Sequence, residues 1–571
     1  MCSSDLVISI GNQDFRSIRE NHNFYVDKSD FIREWWENQD TVTLITRPRR
    51  FGKTLNMSML ENFFSIQNEK REGLFEGLAI WEDQKYRALQ GSYPVIFLSF
   101  ASVKGETYPE AREGIIQIIL DLYTKYDYLR LSDKLSEKEK AYFDFIKSDM
   151  SNTIAAMSLH RLALCMNRYY GKKVLILLDE YDTPLQEAYV RGYWNELTSF
   201  MSNLFNATFK TNPYMERGLL TGITRVSKES IFSDLNNLEI VTTTSNKYTT
   251  AFGFTQEEVS SALKLFEMAD RGEKVRKWYD GFCFGDRNDI YNPWSITKFL
   301  DTGKFDSYWV NTSSNSLAGK LIQEGTPDVK ISMEDLLEGK AIKTAVDEEI
   351  VFEQLENNST AVWSLLLACG YLKVNKASED GAGGIYSLSL TNHEVKNMFR
   401  RMIQGWFGKS SVRYNDFIKA LIADDVDYMN QYINEVAMQT FSFFDTGRYS
   451  AGDSEPERFY HGFVLGLIVE LANQYRITSN RESGLGRYDI MLEPLDKSKI
   501  AYVIEFKVFK SKTEKNLEET AQNALDQIVE KNYDAELIAK GVVKDNIRHF
   551  GFAFKGKEVL IIQGDKRNYT V

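Results

Sequence analysis

Apolar residues recur along this chain in two rhythms, short uninterrupted runs and one-sided helical faces. The first run, Val42-Thr43-Leu44-Ile45, leads into a loop from Thr46 to Leu55 and then a helix-like segment from Asn56 to Phe64. Tyr93 to Phe100 reads as a second strand. From Tyr108 to Tyr126, the residues Ile115, Ile118, Ile119 and Leu122 fall on one side of a helix. Residues 127–149 are charged and helical in composition, an exposed insertion. Ile154 to Tyr170 is an apolar-periodic helix stopped at Gly171, which suits a C-cap. Val174-Leu175-Ile176-Leu177-Leu178 then predicts a strand buried on both faces, with Asp179 and Glu180 at its tip. Gly218 to Thr224 is a further strand. Strand and helix alternate, so residues 1–250 are expected to form a parallel sheet with flanking helices.

The pattern changes twice more. Residues 251–445 are mostly helical in pattern, consistent with helical or winged-helix modules. Within them, Asn292-Pro293 followed by Ser295 predicts a turn into a helix, not a reactive site, and Ser378 to Gly384 is a hairpin tip or connector. Residues 446–571 read as a helix from Glu457 to Tyr475, a strand ending near Leu492, a strand from Ile500 to Val508, and a helix from Leu517 to Tyr533. The whole is an α/β multidomain chain, and its 571 residues suit roughly three or four domains of ordinary size.

Composition narrows the class. Hydrophobic residues at 43% and charged ones at 26% describe a globular protein, and the net charge of -12 argues against general adhesion to nucleic acid while leaving a local basic groove open. Cys2, Cys165, Cys283 and Cys369 lie too far apart for a paired zinc spacing or a disulfide framework. No basic-then-apolar leader and no apolar run near the ~20 residues of a membrane span are present, so a cytoplasmic, reduced protein without membrane attachment is expected.

Two stretches carry chemistry. Thr46 to Leu55 reads T-R-P-R-R-F-G-K-T-L, the end of a phosphate loop between a strand and a helix. Such a loop turns backbone N–H groups and a helix N-terminus on phosphate oxygens, while Lys53 reaches the outer phosphates and the Thr54 hydroxyl holds Mg²⁺. Arg47 stands where the first glycine of the usual pattern belongs, five residues before Gly52. The strand ending in Asp179-Glu180 is the Walker B pattern: Asp179 would hold Mg²⁺ with Thr54, and Glu180 would polarise the attacking water. Thr224 or Arg225 would sense the terminal phosphate or stabilise transition-state charge. Phe15, Phe24, Tyr25 and Phe31 form a lead-in that either places an aromatic beside a base or simply packs.

The second stretch sets Asp489, fifteen intervening residues, then Glu505-Phe506-Lys507. Residues two apart in a strand face the same way, so Glu505 and Lys507 point together while Phe506 enters the core. If the two strands pair, Asp489 and Glu505 share a divalent cation with the Phe506 carbonyl, and Lys507 orients the attacking water. An i, i+2 Glu/Lys pair is common on surface strands; the isolated Asp489 in an apolar strand, approached by Gly484-x-Gly486-Arg487, favours the metal-dependent phosphodiesterase reading. Gln527 either contacts substrate or is solvated.

Together, Tyr25-Val26-Asp27-Lys28, Arg47 to Thr54, Leu178-Asp179-Glu180-Tyr181-Asp182, Tyr291-Asn292-Pro293-Trp294, Gly486-Arg487-Tyr488-Asp489 and Glu505-Phe506-Lys507 resemble the prokaryotic AAA-ATPase-like proteins that carry a C-terminal PD-(D/E)XK nuclease-superfamily domain. The resemblance implies a P-loop NTPase domain over 1–250, a helical or winged-helix middle over 251–445 and a nuclease-like domain over 446–571. It implies ATP and Mg²⁺ at Lys53, Thr54, Asp179 and Glu180, with Arg49, Arg50, Gly52 and Arg225 beside the nucleotide. It also implies metal at Asp489 and Glu505 with Lys507, Mn²⁺ being an alternative ion there. Arg47 is a departure typical of that family, and Arg47, Arg49 and Arg50 are expected to add positive charge beside the phosphates. A further acidic residue usual in the nuclease superfamily has three candidates, Glu457, Glu470 and Glu482. The expected function is an ATP-dependent nuclease acting on nucleic acid, with oligomerisation compatible; the alternative is a signalling or scaffold ATPase whose last domain binds without cutting.

Overall fold

The computed structural model describes residues 6–66, 71–224, 231–232, 235–310, 316–323, 327–347, 359–377, 385–407, 415–440, 464, 468, 471, 474–483, 486–510, 513–556 and 558–564. The chain divides into two compact units, one comprising Met1–Leu321 and Gly339–Asn397, the other Ile322–Glu338 and Met398–Val571.

The first unit is built on a parallel sheet of β1 (Val42–Thr46), β2 (Val95–Ser99), β3 (Val174–Asp179), β4 (Met215–Gly222) and β5 (Leu238–Val241), in the order β2-β3-β4-β1-β5. Every residue of β1 and β3 is buried, as expected of parallel strands covered by helices on both faces. The helices Tyr108–Lys125 and Asn152–Tyr170 match the apolar periodicity, and the second ends at Gly171 with φ 68°. Strand β4 lies between β1 and β3, so the strand that leads into the phosphate loop and the strand with the acidic tip are both its neighbours. Sequence order does not foretell this insertion.

The middle region of this unit has its helices, and it also holds two small antiparallel sheets. One joins β6 (Phe254–Thr255), β7 (Asp280–Phe284) and β8 (Arg287–Tyr291); the other joins β9 (Ile342–Ala345), β10 (Leu372–Ala377) and β11 (Ile385–Leu390). The helix Ser359–Ala368 precedes the β10–β11 hairpin, an order of elements that a winged-helix module uses.

The second unit holds a mixed sheet in the order β12 (Tyr475–Ser483), β13 (Gly486–Pro494), β14 (Ala501–Val508), β15 (Ile547–Lys555) and β16 (Glu558–Gln563). Strands β14 and β15 are parallel, which requires a crossover, and the helix Leu517–Glu530 lies between them in sequence. One apolar cluster includes Phe506, Phe552, Phe417 and Ile433; a second includes Met491, Val503, Leu525 and Ile528. Along β16, Asn430 and Asn434 bond the backbone of Ile561 and Val559 at 2.7–2.9 Å, so side-chain amides one helical turn apart satisfy strand groups.

Gly551 sits opposite Glu505 in the β14–β15 ladder, and a Cβ on it would lie 2.3 Å from the carbonyl oxygen of Ala521 in the helix Leu517–Glu530. Close approach of helix to sheet depends on that missing methyl. Gly551→Ala is expected to lower stability by about 1–3 kcal/mol, read by denaturant unfolding of the full chain. An unchanged midpoint would show that the helix is not held against Gly551.

Candidate active sites

The first site forms where β1 hands over to the helix Lys53–Phe64. Gly52 caps that helix at φ 83°, a conformation costly for residues with a Cβ. Behind it, the Thr54 hydroxyl donates to Asp179 Oδ2 at 2.6 Å and the Thr221 hydroxyl to Asp179 Oδ1 at 2.5 Å. Burial raises the Asp179 carboxyl above its usual range, and the two hydroxyls oppose that rise. A hydroxyl and a carboxylate this close are hard oxygen donors of the kind that suit Mg²⁺. The Lys53 ammonium donates to the carbonyls of Arg47 and Pro48, both at 2.9 Å; burial lowers its pKa, and the nearby acids Glu180, Asp179 and Asp182 counter that shift. Glu180 adopts φ 50°, and its Oε2 accepts from the Thr183 hydroxyl at 3.0 Å.

Gly52, Lys53, Thr54, Asp179, Glu180 and Thr183 border an open cavity of about 520 Å³, together with Arg49, Arg50, Gln186 and Trp294. Phe24 and Tyr25 of the lead-in border it too, alongside residues 8–13, whereas Phe15 and Phe31 are buried in aromatic packing. Sequence reading missed residues 8–13 and Trp294, since nothing in their spacing marks a ligand site. The turn at Asn292 is as expected: its Oδ1 accepts from the N–H groups of Trp294 and Ser295 and caps the helix Pro293–Thr302. The same side chain also donates to the carbonyl of Arg49 at 3.2 Å, so the turn is part of the loop's support.

Arg47 overturns one expectation. Its side chain does not border the cavity. Its side chain is fully buried and donates to the carbonyls of Thr46, Thr242, Lys247 and Tyr248 at 2.7–3.4 Å, with its guanidinium 4.5 Å from the Phe284 ring centroid. Burial brings its pKa down to about 9, still protonated at neutral pH. The rest of the loop packs likewise: Gly370 abuts Pro48, Arg50 stacks on Trp294 at 4.5 Å, and Phe51 meets Phe282 at 4.7 Å. Thr224 is also redirected. Its N–H and hydroxyl both donate to Asp182 Oδ2 and its carbonyl accepts from Tyr181, so its hydroxyl is committed away from a sensing role. Arg225 lies outside the described residues. In the Tyr25-Val26-Asp27-Lys28 motif, Asp27 accepts from the N–H groups of Ser29 and Ala79 and Lys28 pairs with Glu258 at 2.7 Å, which are structural contacts.

The second site forms on β13 and β14, which pair antiparallel with Ile490 opposite Ile504. The next position brings Asp489 beside Glu505. Asp489 N–H donates to Glu505 Oε2 at 3.3 Å, and Asp489 Oδ2 accepts from the Phe506 N–H at 2.8 Å. Glu505 is 2% exposed, Phe506 is in the core and Lys507 is partly exposed. Gln527 is not merely solvated: its Oε1 accepts from Lys507 at 2.5 Å, and its Nε2 donates to Glu505 Oε1 and, at 3.0 Å, to the Tyr533 hydroxyl. Burial, helped by Glu505 and Asp489, pushes the Tyr533 phenol up to about 12. Tyr533 went unnoticed in sequence because a tyrosine at a helix end is common. Among the described residues no cluster of three or more His, Cys, Asp or Glu side chains that could hold a metal ion forms. Glu457 and Glu470 lie outside the described residues, as does the Glu482 side chain.

Against known proteins, residues 9–232 match the family described as predicted AAA-ATPase, and residues 455–564 match the PD-(D/E)XK nuclease superfamily. The chain joins an AAA-ATPase-like domain to a PD-(D/E)XK nuclease-superfamily domain. It is 27% identical over 395 residues to an uncharacterized protein in the vnfD 5′ region of Azotobacter chroococcum mcd 1, covering 68% of each chain. A solved structure, the Aeropyrum pernix ORC2 protein in ADPNP and ADP complexes, aligns over 70% of this chain and 96% of that one at 10% identity with a TM-score of 0.24, a likeness that carries no argument. The phosphate loop and acidic strand described above fall in the AAA-ATPase-like domain, and Asp489, Glu505 and Lys507 fall in the nuclease-superfamily domain.

Arg47→Met keeps the apolar stem and removes the donors to buried carbonyls. It is expected to destabilise the chain by roughly 2 kcal/mol or more in denaturant unfolding; a smaller loss would mean that those carbonyls find other donors. Glu394 supports the Asn292 turn by accepting from the Ser295 hydroxyl at 2.8 Å and the Trp309 N–H at 2.5 Å, and burial pushes its carboxyl up to about 7 against those donors. Because the folded value exceeds the ordinary 4.5, the associated stability is complete below about pH 4.5 and is lost as pH rises through about 7. The melting temperature should therefore fall more steeply over that window in the wild type than in Glu394→Gln, and equal slopes would exclude this role.

Proposed function

We propose that this chain binds and hydrolyses ATP in its first unit and hydrolyses nucleic-acid phosphodiesters in its second, with Mg²⁺ at both sites. The observation that carries the reading is that two constellations, far apart in sequence, each assemble within their own unit: Thr54 with Asp179, and Asp489 with Glu505 and Lys507.

When bound, Mg²⁺ supplies charge neutralisation on phosphate oxygens and a more acidic coordinated water. In the nucleotide site, Thr54 and Asp179 hold the ion, Lys53 turns to the outer phosphates, and the helix N-terminus at Gly52 presents N–H groups to them. Glu180, released from Thr183, accepts a proton from the attacking water. Arg49, Arg50 and Arg225 add positive charge. In the nuclease site, Asp489, Glu505 and the Phe506 carbonyl hold the ion, and Lys507 orients water against the scissile phosphate. Gln527 holds Lys507 and Glu505 in a fixed relation. Domain limits of 1–250, 251–445 and 446–571, a cytoplasmic location and control of cleavage by nucleotide belong to the same proposal. The net charge of -12 favours a second reading, an ATPase whose last domain binds without cutting.

The test is a cleavage panel of single- and double-stranded DNA and RNA in Mg²⁺ or Mn²⁺, with and without ATP. Wild-type chain is expected to cut at least one substrate, and Asp489→Ala to lower the rate at least roughly 100-fold, beyond the loss of an outer-shell partner. Lys53→Ala should abolish any effect of ATP. Cleavage of none of these substrates, with binding retained in Asp489→Ala, would give the second reading the field.

A further inference from the structure

The Asp182 carboxylate is fully buried in the turn after β3, outside the set of groups assigned to ATP chemistry. Its Oδ2 accepts from the N–H groups of Ile223 and Thr224 at 3.0 and 2.8 Å, from the Thr224 hydroxyl at 2.9 Å and from Gln186 Nε2 at 2.9 Å. Gln186 stands one helical turn beyond Asp182, in the helix Thr183–Arg191. Its Oε1 accepts from Arg49 Nη2 at 3.3 Å.

A glutamine amide has a donor end and an acceptor end, and in most settings either orientation can be accommodated. Here a carboxylate lies on one side and a guanidinium on the other. Reversing the amide would set oxygen against oxygen at Asp182 and N–H against N–H at Arg49, two repulsive contacts in place of two charge-assisted bonds. Asp182 Oδ2, already an acceptor for two backbone N–H groups, thus dictates that the Gln186 oxygen faces Arg49. The Arg49 backbone is held independently, through its carbonyl, by Asn292. Arg49 and Gln186 both border the cavity with Lys53 and Glu180, and Thr183, which holds Glu180, begins the helix that carries Gln186. Arg49 and Lys53 are close enough that Arg49 disfavours the charged ammonium. Two cations turned on one cavity repel, and an anion between them relieves the repulsion.

We propose that Gln186 is a positioning residue that aims the Arg49 guanidinium at the terminal phosphate of a bound nucleoside triphosphate, with Asp182 setting the polarity of its amide. The proposal rests on the nucleotide reading of this site and deepens it. An Arg49 aimed at the terminal phosphate distinguishes triphosphate from diphosphate. Lys53 and the helix N-terminus, in contrast, serve both.

The test measures binding of Mg·AMP-PNP and Mg·ADP by calorimetry to the full chain and to Gln186→Met, Gln186→Leu, Arg49→Met and the Arg49→Met/Gln186→Met double variant. Each single substitution is expected to weaken AMP-PNP about tenfold, the equivalent of 1.4 kcal/mol, and to leave ADP within about twofold. The double variant should be no weaker than Arg49→Met, since the two residues act as one unit. Equal weakening of both nucleotides, no change in either, or additive losses in the double variant would overturn the role of Gln186 while wild-type binding upholds the nucleotide site. A wild-type chain that binds neither nucleotide would overturn the nucleotide reading and this proposal with it.

Discussion

The burial of Arg47 is the constraint on which the phosphate loop depends. A guanidinium in the interior is costly unless its donors are met, and here backbone carbonyls from Thr46, Thr242, Lys247 and Tyr248 take the Nη donors, while Nε finds no partner among the described residues and aromatic faces at Phe252 and Phe284 flank the charge. The usual loop relies on a glycine at this position to turn freely. This chain instead nails the turn down, so that Pro48, Arg49, Arg50 and Phe51 each contact the region beyond residue 250. The shape of the loop is therefore decided by residues two to three hundred positions away, and Arg50 keeps a left-handed φ of 64° within it.

Asp179 shows the same economy at the tip of β3. A buried carboxylate prefers its proton, yet hydroxyls from Thr54 and Thr221 bring donors from β1's helix and from β4 to its two oxygens. Because β4 lies between β1 and β3, one strand supports both the loop and the acidic tip. The turn that follows reuses the principle: Tyr181 and Asp182 hold the three backbone and hydroxyl groups of Thr224, and Asp182 reaches Arg49 through Gln186.

In the nuclease-superfamily domain the deciding feature is an absence of bulk. Gly551, opposite Glu505, allows the helix Leu517–Glu530 to lie close to the sheet, and Gln527 on that helix reaches Glu505 and Lys507 together. A near-fully buried Glu505 needs such partners, because its charge has little water to face.

The elements, and the chemistry that rides on single strands, follow from local sequence. Largely apolar runs mark β1 and β3, the period-two alternation of Glu505, Phe506 and Lys507 separates site from core, and Gly171 and Asn292 end and start helices through local backbone geometry. Which of these meet is a property of the folded chain. That β4 enters between β1 and β3, that Arg47 turns inward, that Thr224 is tied to Asp182, and that residues 8–13 and Trp294 border the cavity all depend on contacts between distant segments. Periodicity reports which face of an element is apolar; it does not report the neighbour that face will find, and an arginine that ends among buried carbonyls looks the same in sequence as one that greets a phosphate.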